Sequence, residues 1–262
     1  MALEQPFGAA PQQLGPEDNA AKLYQLQIGE GEVAWRSRAR VVLTPMAAPS
    51  IMGLFGFAIA TMMVGAWQAG WYGGAATGAM LWPFALFVGG LPQIIAAIAC
   101  LRARDGVAVA VHTVWGAFWI GWSVLQILVV THMVPAIPFS GYHPAIGFWF
   151  IGLAAVTISA CLASLGKNFA MFVTLGTLAA GSSLTAAGWW SASHGVLVAG
   201  GWLFVISAAC AWYVGTAMIL ENAFGRTILP LGHYSKAANV PGARSTTPIA
   251  FPEGMPGVRV GQ

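Results

Sequence analysis

Charge is what this sequence has least of. Only 7% of its 262 residues are Asp, Glu, Lys or Arg, where a soluble domain carries about a quarter. Another 58% are hydrophobic, more apolar surface than one water-soluble core can hide. Lipid must therefore be the solvent for most of the chain. Cysteine is scarce as well: Cys100, Cys161 and Cys210 all fall inside apolar segments, without metal-ligand spacing, and read as small core residues. Catalytic signatures are missing too. There is no Ser-His-Asp arrangement, phosphate-binding glycine loop or HExxH. The expectation is a protein that is not an enzyme, with no cofactor, metal or nucleic-acid partner.

What is present is a series of long apolar runs. A spanning helix needs about 20 mostly apolar residues, and such runs lie near 49–70, 79–101, 108–131, 145–165, 169–190 and 196–220. The breaks between them hold Gly, Pro, charge or polar clusters. The fold class expected is an all-α membrane protein of six transmembrane helices. Its divisions are a cytoplasmic N-terminal tail (1–45), a six-helix domain (46–225) and a largely disordered cytoplasmic C-terminal tail (226–262). The N-terminal stretch has no apolar h-region and does not read as a signal peptide. Ala20 to Leu26 reads as a short surface helix.

The placement of the few cations sets the expected direction. Lys22, Arg36, Arg38 and Arg40 precede the first span, Arg102 and Arg104 follow the second, and Lys167 follows the fourth. Arg226, Lys236, Arg244 and Arg259 follow the sixth. The three other connections contain no Lys or Arg. Basic connections face the cytoplasm, so both termini are expected there, in a cell (inner) membrane. The first span opens with Ala48-Pro49 and the fourth with His143-Pro144-Ala145-Ile146-Gly147-Phe148. If these correspond, the chain is a 3+3 inverted repeat.

The span interiors hold no Asp, Lys or Arg, and Glu221 lies at the end of the last span. Ion-coupled pumps keep a mid-membrane ionisable group, so the pattern points to a pore for a small, neutral or transiently neutral solute. Most intramembrane Ser and Thr side chains are expected to bond their own helix. Gln93 stands apart, because Gly89-Gly90 and Pro92 surround it and the proline frees a carbonyl. It reads as polar lining, together with Thr113, Thr177 and the helix N-terminus behind Pro49. His112 reads as a packing residue or a proton relay. His132, His143 and His194 read as headgroup-level loop residues.

The last span carries a longer signature: Ala199-Gly200-Gly201-Trp202, Ala211-Trp212-Tyr213, then Glu221-Asn222-Ala223-Phe224-Gly225-Arg226-Thr227-Ile228-Leu229-Pro230-Leu231-Gly232. With Gly89-Gly90-Leu91-Pro92-Gln93 and Gly116-Ala117-Phe118-Trp119, it closely resembles the acetate uptake transporter family, the YaaH-like acetate and succinate permeases. The similarity runs from about Ala48 to Gly232. The resemblance implies transport of acetate and related small carboxylic acids, succinate among them, by a proton-linked permease or a passive channel. It also implies a homo-hexamer whose protomers each hold a conduit narrowed by three side chains. By position these are Phe57, Trp115 and Leu178, with Leu175 the alternative to the last.

The sequence departs from the family at several points. Ala48 stands where the first span usually has asparagine, and Ile51 replaces a proline. Cys100 replaces a carboxylate, Trp115 a tyrosine, and Asp105 an asparagine. These positions bear on substrate and coupling. A neutral small-solute channel (urea or ammonia) and a non-transporting membrane sensor remain the alternatives.

Overall fold

The computed structural model describes residues 47–74, 76–103, 105–135 and 141–234. Among them, six helices are long and apolar enough to cross a membrane. These are α1 (Ser50–Gln68), α2 (Thr77–Ala103), α3 (Gly106–Val130), α4 (Pro144–Ser164), α5 (Phe169–Ser191) and α6 (His194–Phe224). Each lies within a few residues of an apolar run. Local chemistry sets the ends. Asp105 caps α3 by accepting from Ala108 N at 3.1 Å, and Asn168 caps α5 by accepting from Met171 N at 2.8 Å. Pro144, whose missing N–H costs nothing in a first turn, opens α4.

The second helix is irregular for a visible reason. It contains Pro83 and Pro92, and between them Ala85–Gly90 winds as a π turn, with Leu91 N–H bonding the Leu86 carbonyl five residues back. Pro92 has no N–H to offer the Val88 carbonyl. That carbonyl lies against α1 at Gly56, where an added Cβ would sit 2.5 Å from it.

Helix α6 packs against α1 and α5, α5 also against α4, and α3 against α2. The α1–α6 crossing is closest at Gly201, where a Cβ would fall 2.5 Å from Ala69 N and 2.9 Å from Gly65 O. Close helix approach through small residues is the usual association mode in lipid. Met80, Phe84, Phe87, Leu91, Ile95, Ile98 and Leu101 form an exposed stripe along α2 at helical spacing. Such a face suits lipid or another protein, not water. The protein is a multi-pass membrane protein.

The chain stays attached beyond α6. Gly225, at φ 65°, ends the helix in the left-handed conformation, its N–H returning to the Glu221 carbonyl at 2.9 Å. The chain then folds back as a strap. Leu231 is buried, Phe169 N donates to Gly232 O at 2.8 Å, and Ala170 N donates to Leu231 O at 3.0 Å. Tyr213 Oη donates to Pro230 O at 2.7 Å. The ordered contacts thus pass residue 226, the expected start of the tail, and continue to His233, which pairs with Asn168. The 1–45 segment, its Ala20–Leu26 helix and the tail beyond Tyr234 lie outside the described residues.

Candidate functional site

Two cavities occupy opposite halves of the bundle. The larger, about 80 Å³, lies among the later turns of α1 and α3 and the start of α4. Its lining includes Thr61, Gln68, Trp115, Trp119, Gln126 and Phe204. The smaller, about 30 Å³, lies among the early turns of α1, α3 and α5. Its polar lining is Ser50, Asp105, His112, Lys167 and Thr174, and its apolar lining includes Phe57, Leu175 and Leu178. We call the second the basic-end cavity, because the Lys- and Arg-bearing connections lie at that end, and the first the neutral-end cavity. The two share no lining residue.

Of the three residues expected to narrow a conduit, two are in contact and the third lines a cavity with one of them. Phe57, Trp115 and Leu178 are all buried, and Phe57 meets Trp115 edge-to-face with ring centroids 5.9 Å apart. Trp115 lines the neutral-end cavity, while Phe57 and Leu178 line the other. Leu175 lines the basic-end cavity too, one turn from Leu178, so both registers considered for α5 face the same space. Trp115 is anchored: its Nε1–H donates to Thr157 Oγ1 at 3.0 Å, and that hydroxyl donates to Leu153 O at 2.6 Å. Edge contacts to Phe118 and Phe204 hold its ring from other sides.

The expected polar lining is distributed differently. Gln93 is fully buried but lines neither cavity. Its Nε2 donates to Gly89 O in its own helix at 2.8 Å, and its Oε1 lies 3.5 Å from His112 Nδ1. Gln93 therefore backs His112, which does face the basic-end cavity. Thr113 is on the exposed face of α3, since it neighbours the buried His112 and points away from it. Thr177 donates to Val173 O at 2.8 Å and lines neither cavity; the buried Thr174, about one turn earlier, does. Pro49 occupies the cap position of α1, and the adjacent Ser50 lines the cavity, 3.6 Å from Cys100 Sγ through its Oγ.

The neutral-end cavity has its own unmet chemistry. Thr61 Oγ1 and Trp119 Nε1, from two of its lining residues, are buried without a hydrogen-bond partner. Gln68 is committed elsewhere, its Nε2 donating to Thr185 Oγ1 at 2.9 Å and to Leu197 O at 2.8 Å. Among the described residues, no three of His, Cys, Asp or Glu gather as a metal site requires.

Sequence reasoning did not find the Asp105–Lys167 ion pair. It joins the α2–α3 and α4–α5 connections in the lining of the basic-end cavity, with both side chains largely buried. The signal available was Asp105 itself, an acid where the resemblance expects an amide. The signature residues Glu221, Asn222, Gly225, Arg226 and Pro230 lie apart from both cavities. Glu221 Oε1 accepts from Thr227 Oγ1 at 3.3 Å, Gly225 terminates α6, and Pro230 belongs to the strap held against α5.

A profile of the GPR1/FUN34/yaaH family matches residues 34–233. The chain belongs to this family. The family match ends at His233, where the strap pairs with Asn168. The succinate-acetate/proton symporter SatP of Escherichia coli strain K12 is 24% identical over 193 residues, which cover 72% of this chain and 97% of the relative. Ammonia transport outward protein 3 of Saccharomyces cerevisiae is 25% identical over 195 residues, 73% of this chain and 68% of the relative. The solved structure of the bacterial acetate channel SatP superposes with a TM-score of 0.64 at 22% identity, covering 71% of this chain and 99% of that one. That likeness confirms the six-helix fold.

Proposed function

We propose that this protein conducts acetate and similar small carboxylic acids across a cell membrane, through a conduit within each protomer. The observation that carries this reading is the pair of cavities on either side of the Phe57–Trp115 ring contact; in this reading Phe57, Trp115 and Leu178 form an apolar layer between them. A bare carboxylate in hydrocarbon is prohibitively costly. It needs donors on both sides and a barrier short enough to cross. Trp119 Nε1–H can only donate, which suits a carboxylate oxygen and offers nothing to an ammonium ion. Lys167 supplies a cation on the other side. The apolar layer limits solute girth and gates by dewetting.

In this reading the Lys- and Arg-bearing end faces the cytoplasm, both termini included, and the membrane is the inner membrane. The protomers assemble as a homo-hexamer, with exposed apolar helix faces supplying the contacts. The span interiors hold no Asp, Lys or Arg, so any proton moves with the substrate or through His112, which lines the basic-end cavity.

The likeness to a yeast protein named for outward ammonia transport favours one second reading, a conduit for ammonia. Labelled acetate uptake into proteoliposomes separates the two. The carboxylate reading predicts uptake above empty vesicles that propionate competes away and ammonium does not. Ammonia flux without protein-dependent acetate uptake would reverse the assignment.

A further inference from the structure

Asp105 does two jobs with one oxygen. Its Oδ1 accepts from Ala108 N at 3.1 Å, capping α3, and also accepts from Lys167 Nζ. An asparagine would cap the helix as well, so the negative charge is needed only for Lys167. The two side chains are 8% and 13% exposed, respectively. They bridge connections that lie 62 residues apart in sequence and line the basic-end cavity.

The space behind the pair is small. A cavity of about 30 Å³ holds about two waters, less than the four heavy atoms of an acetate. A carboxylate entering it must displace lining groups, and the charged contact that it meets is the Asp105–Lys167 bridge. Opening it with nothing in exchange would leave a largely buried ammonium without a counter-charge, which is strongly unfavourable. Opening it to a substrate carboxylate replaces one anion by another.

The neighbouring groups leave Lys167 as the anion partner. The first N–H groups of α5 are already taken, Phe169 N by Gly232 O, Ala170 N by Leu231 O and Met171 N by the Asn168 side chain. The strap thus fixes the backbone beside Lys167 and leaves its side chain as the moving part. Ser50, His112 and Thr174 line the same space, whose surface is otherwise almost wholly apolar, so Lys167 is the group there that can balance a carboxylate's charge.

We propose that Asp105 and Lys167 form an ion-pair-exchange gate: the substrate's carboxylate displaces Asp105 from Lys167 and is held there before crossing the apolar layer. The gate rests on the carboxylate reading above and adds to it a binding residue, an internal competitor and a reason for anion selectivity. A neutral solute has no charge to exchange and gains nothing from the opening.

The test is a set of variants in proteoliposomes, read as initial rates of labelled acetate uptake against concentration. Melting temperature and elution profile of each purified protein are recorded alongside. Asp105→Asn keeps the helix cap and removes the competitor, so half-saturation should fall by about tenfold, equivalent to about 1.4 kcal/mol. Lys167→Gln should raise half-saturation by a similar factor. The double variant should lose the gain of Asp105→Asn, and it substitutes for Lys167→Gln if that protein does not fold. Removing either partner lowers stability in any case, so the discriminating readout is the direction of uptake: a merely structural bridge predicts that both single variants shift half-saturation the same way. Shifts of the same sign, or none, with wild-type acetate uptake intact would overturn the gate alone. No carboxylate uptake by the wild type would overturn the gate and the carboxylate reading together.

Discussion

Trp115 is the residue on which the proposed barrier turns, because it is fastened on every side. Its indole N–H is tied to Thr157 on α4, while Phe57 meets its face from α1. Thr157→Val removes the acceptor and leaves a buried donor unmet, a loss of about 1–3 kcal/mol. We expect a lower melting temperature and faster acetate leak, both measurable on the same purified protein. Phe57, Trp115 and Leu178 could be named only through the family resemblance; of these, Phe57 and Trp115 are in ring contact. Gln93 was legible only in part. A proline must free a carbonyl, but its neighbours in sequence do not say which group comes to lie there. In the fold the Val88 carbonyl meets Gly56, and the Gln93 amide bonds Gly89 instead of facing a pathway. Asp105 and Lys167 could not be paired from sequence at all, since only the packing of two distant connections brings them together.

At the scale of elements, the helices were the easiest part to foresee. Long apolar runs, interrupted by Gly, Pro or charge, leave few ways to cross a bilayer, and the observed ends fall within a few residues of those runs. The π turn and the strap were hidden, because both depend on which carbonyls and N–H groups meet in space. The strap gives the closing glycine-proline signature a structural purpose, which is to hold the start of α5. Tyr213→Phe deletes the bond to Pro230 O and should lower stability by about 0.5–1.5 kcal/mol, visible as a small fall in melting temperature. Gly201→Leu is far more severe. With backbone atoms 2.5 and 2.9 Å from the position of a Cβ, α1 and α6 must separate, at a cost of about 1–3 kcal/mol or more. Loss of the folded peak in size-exclusion chromatography is the expected outcome.

At the scale of the whole molecule, the bundle holds a mainly apolar cavity with a few polar lining residues in each half. Its orientation in the membrane is a proposal with a simple check. A cysteine placed at Ser193, between α5 and α6, should react with an impermeant thiol reagent added outside intact cells. One placed at His233 in the strap should react only after permeabilisation. The reverse pattern would invert the assignment of the two ends.

The central claim is that small carboxylates pass a layer whose width Leu178 helps to set. The most direct measurement compares uptake of labelled acetate, propionate and butyrate by the wild type and by Leu178→Ala in proteoliposomes, with diffusion into empty vesicles subtracted. One methylene is worth about 1–3 kcal/mol of discrimination in a fitted apolar site. The account predicts that the wild type favours acetate, and that the variant narrows this preference about tenfold or more while remaining folded, though less stable. Unchanged rates and unchanged selectivity in a folded Leu178→Ala protein would contradict it.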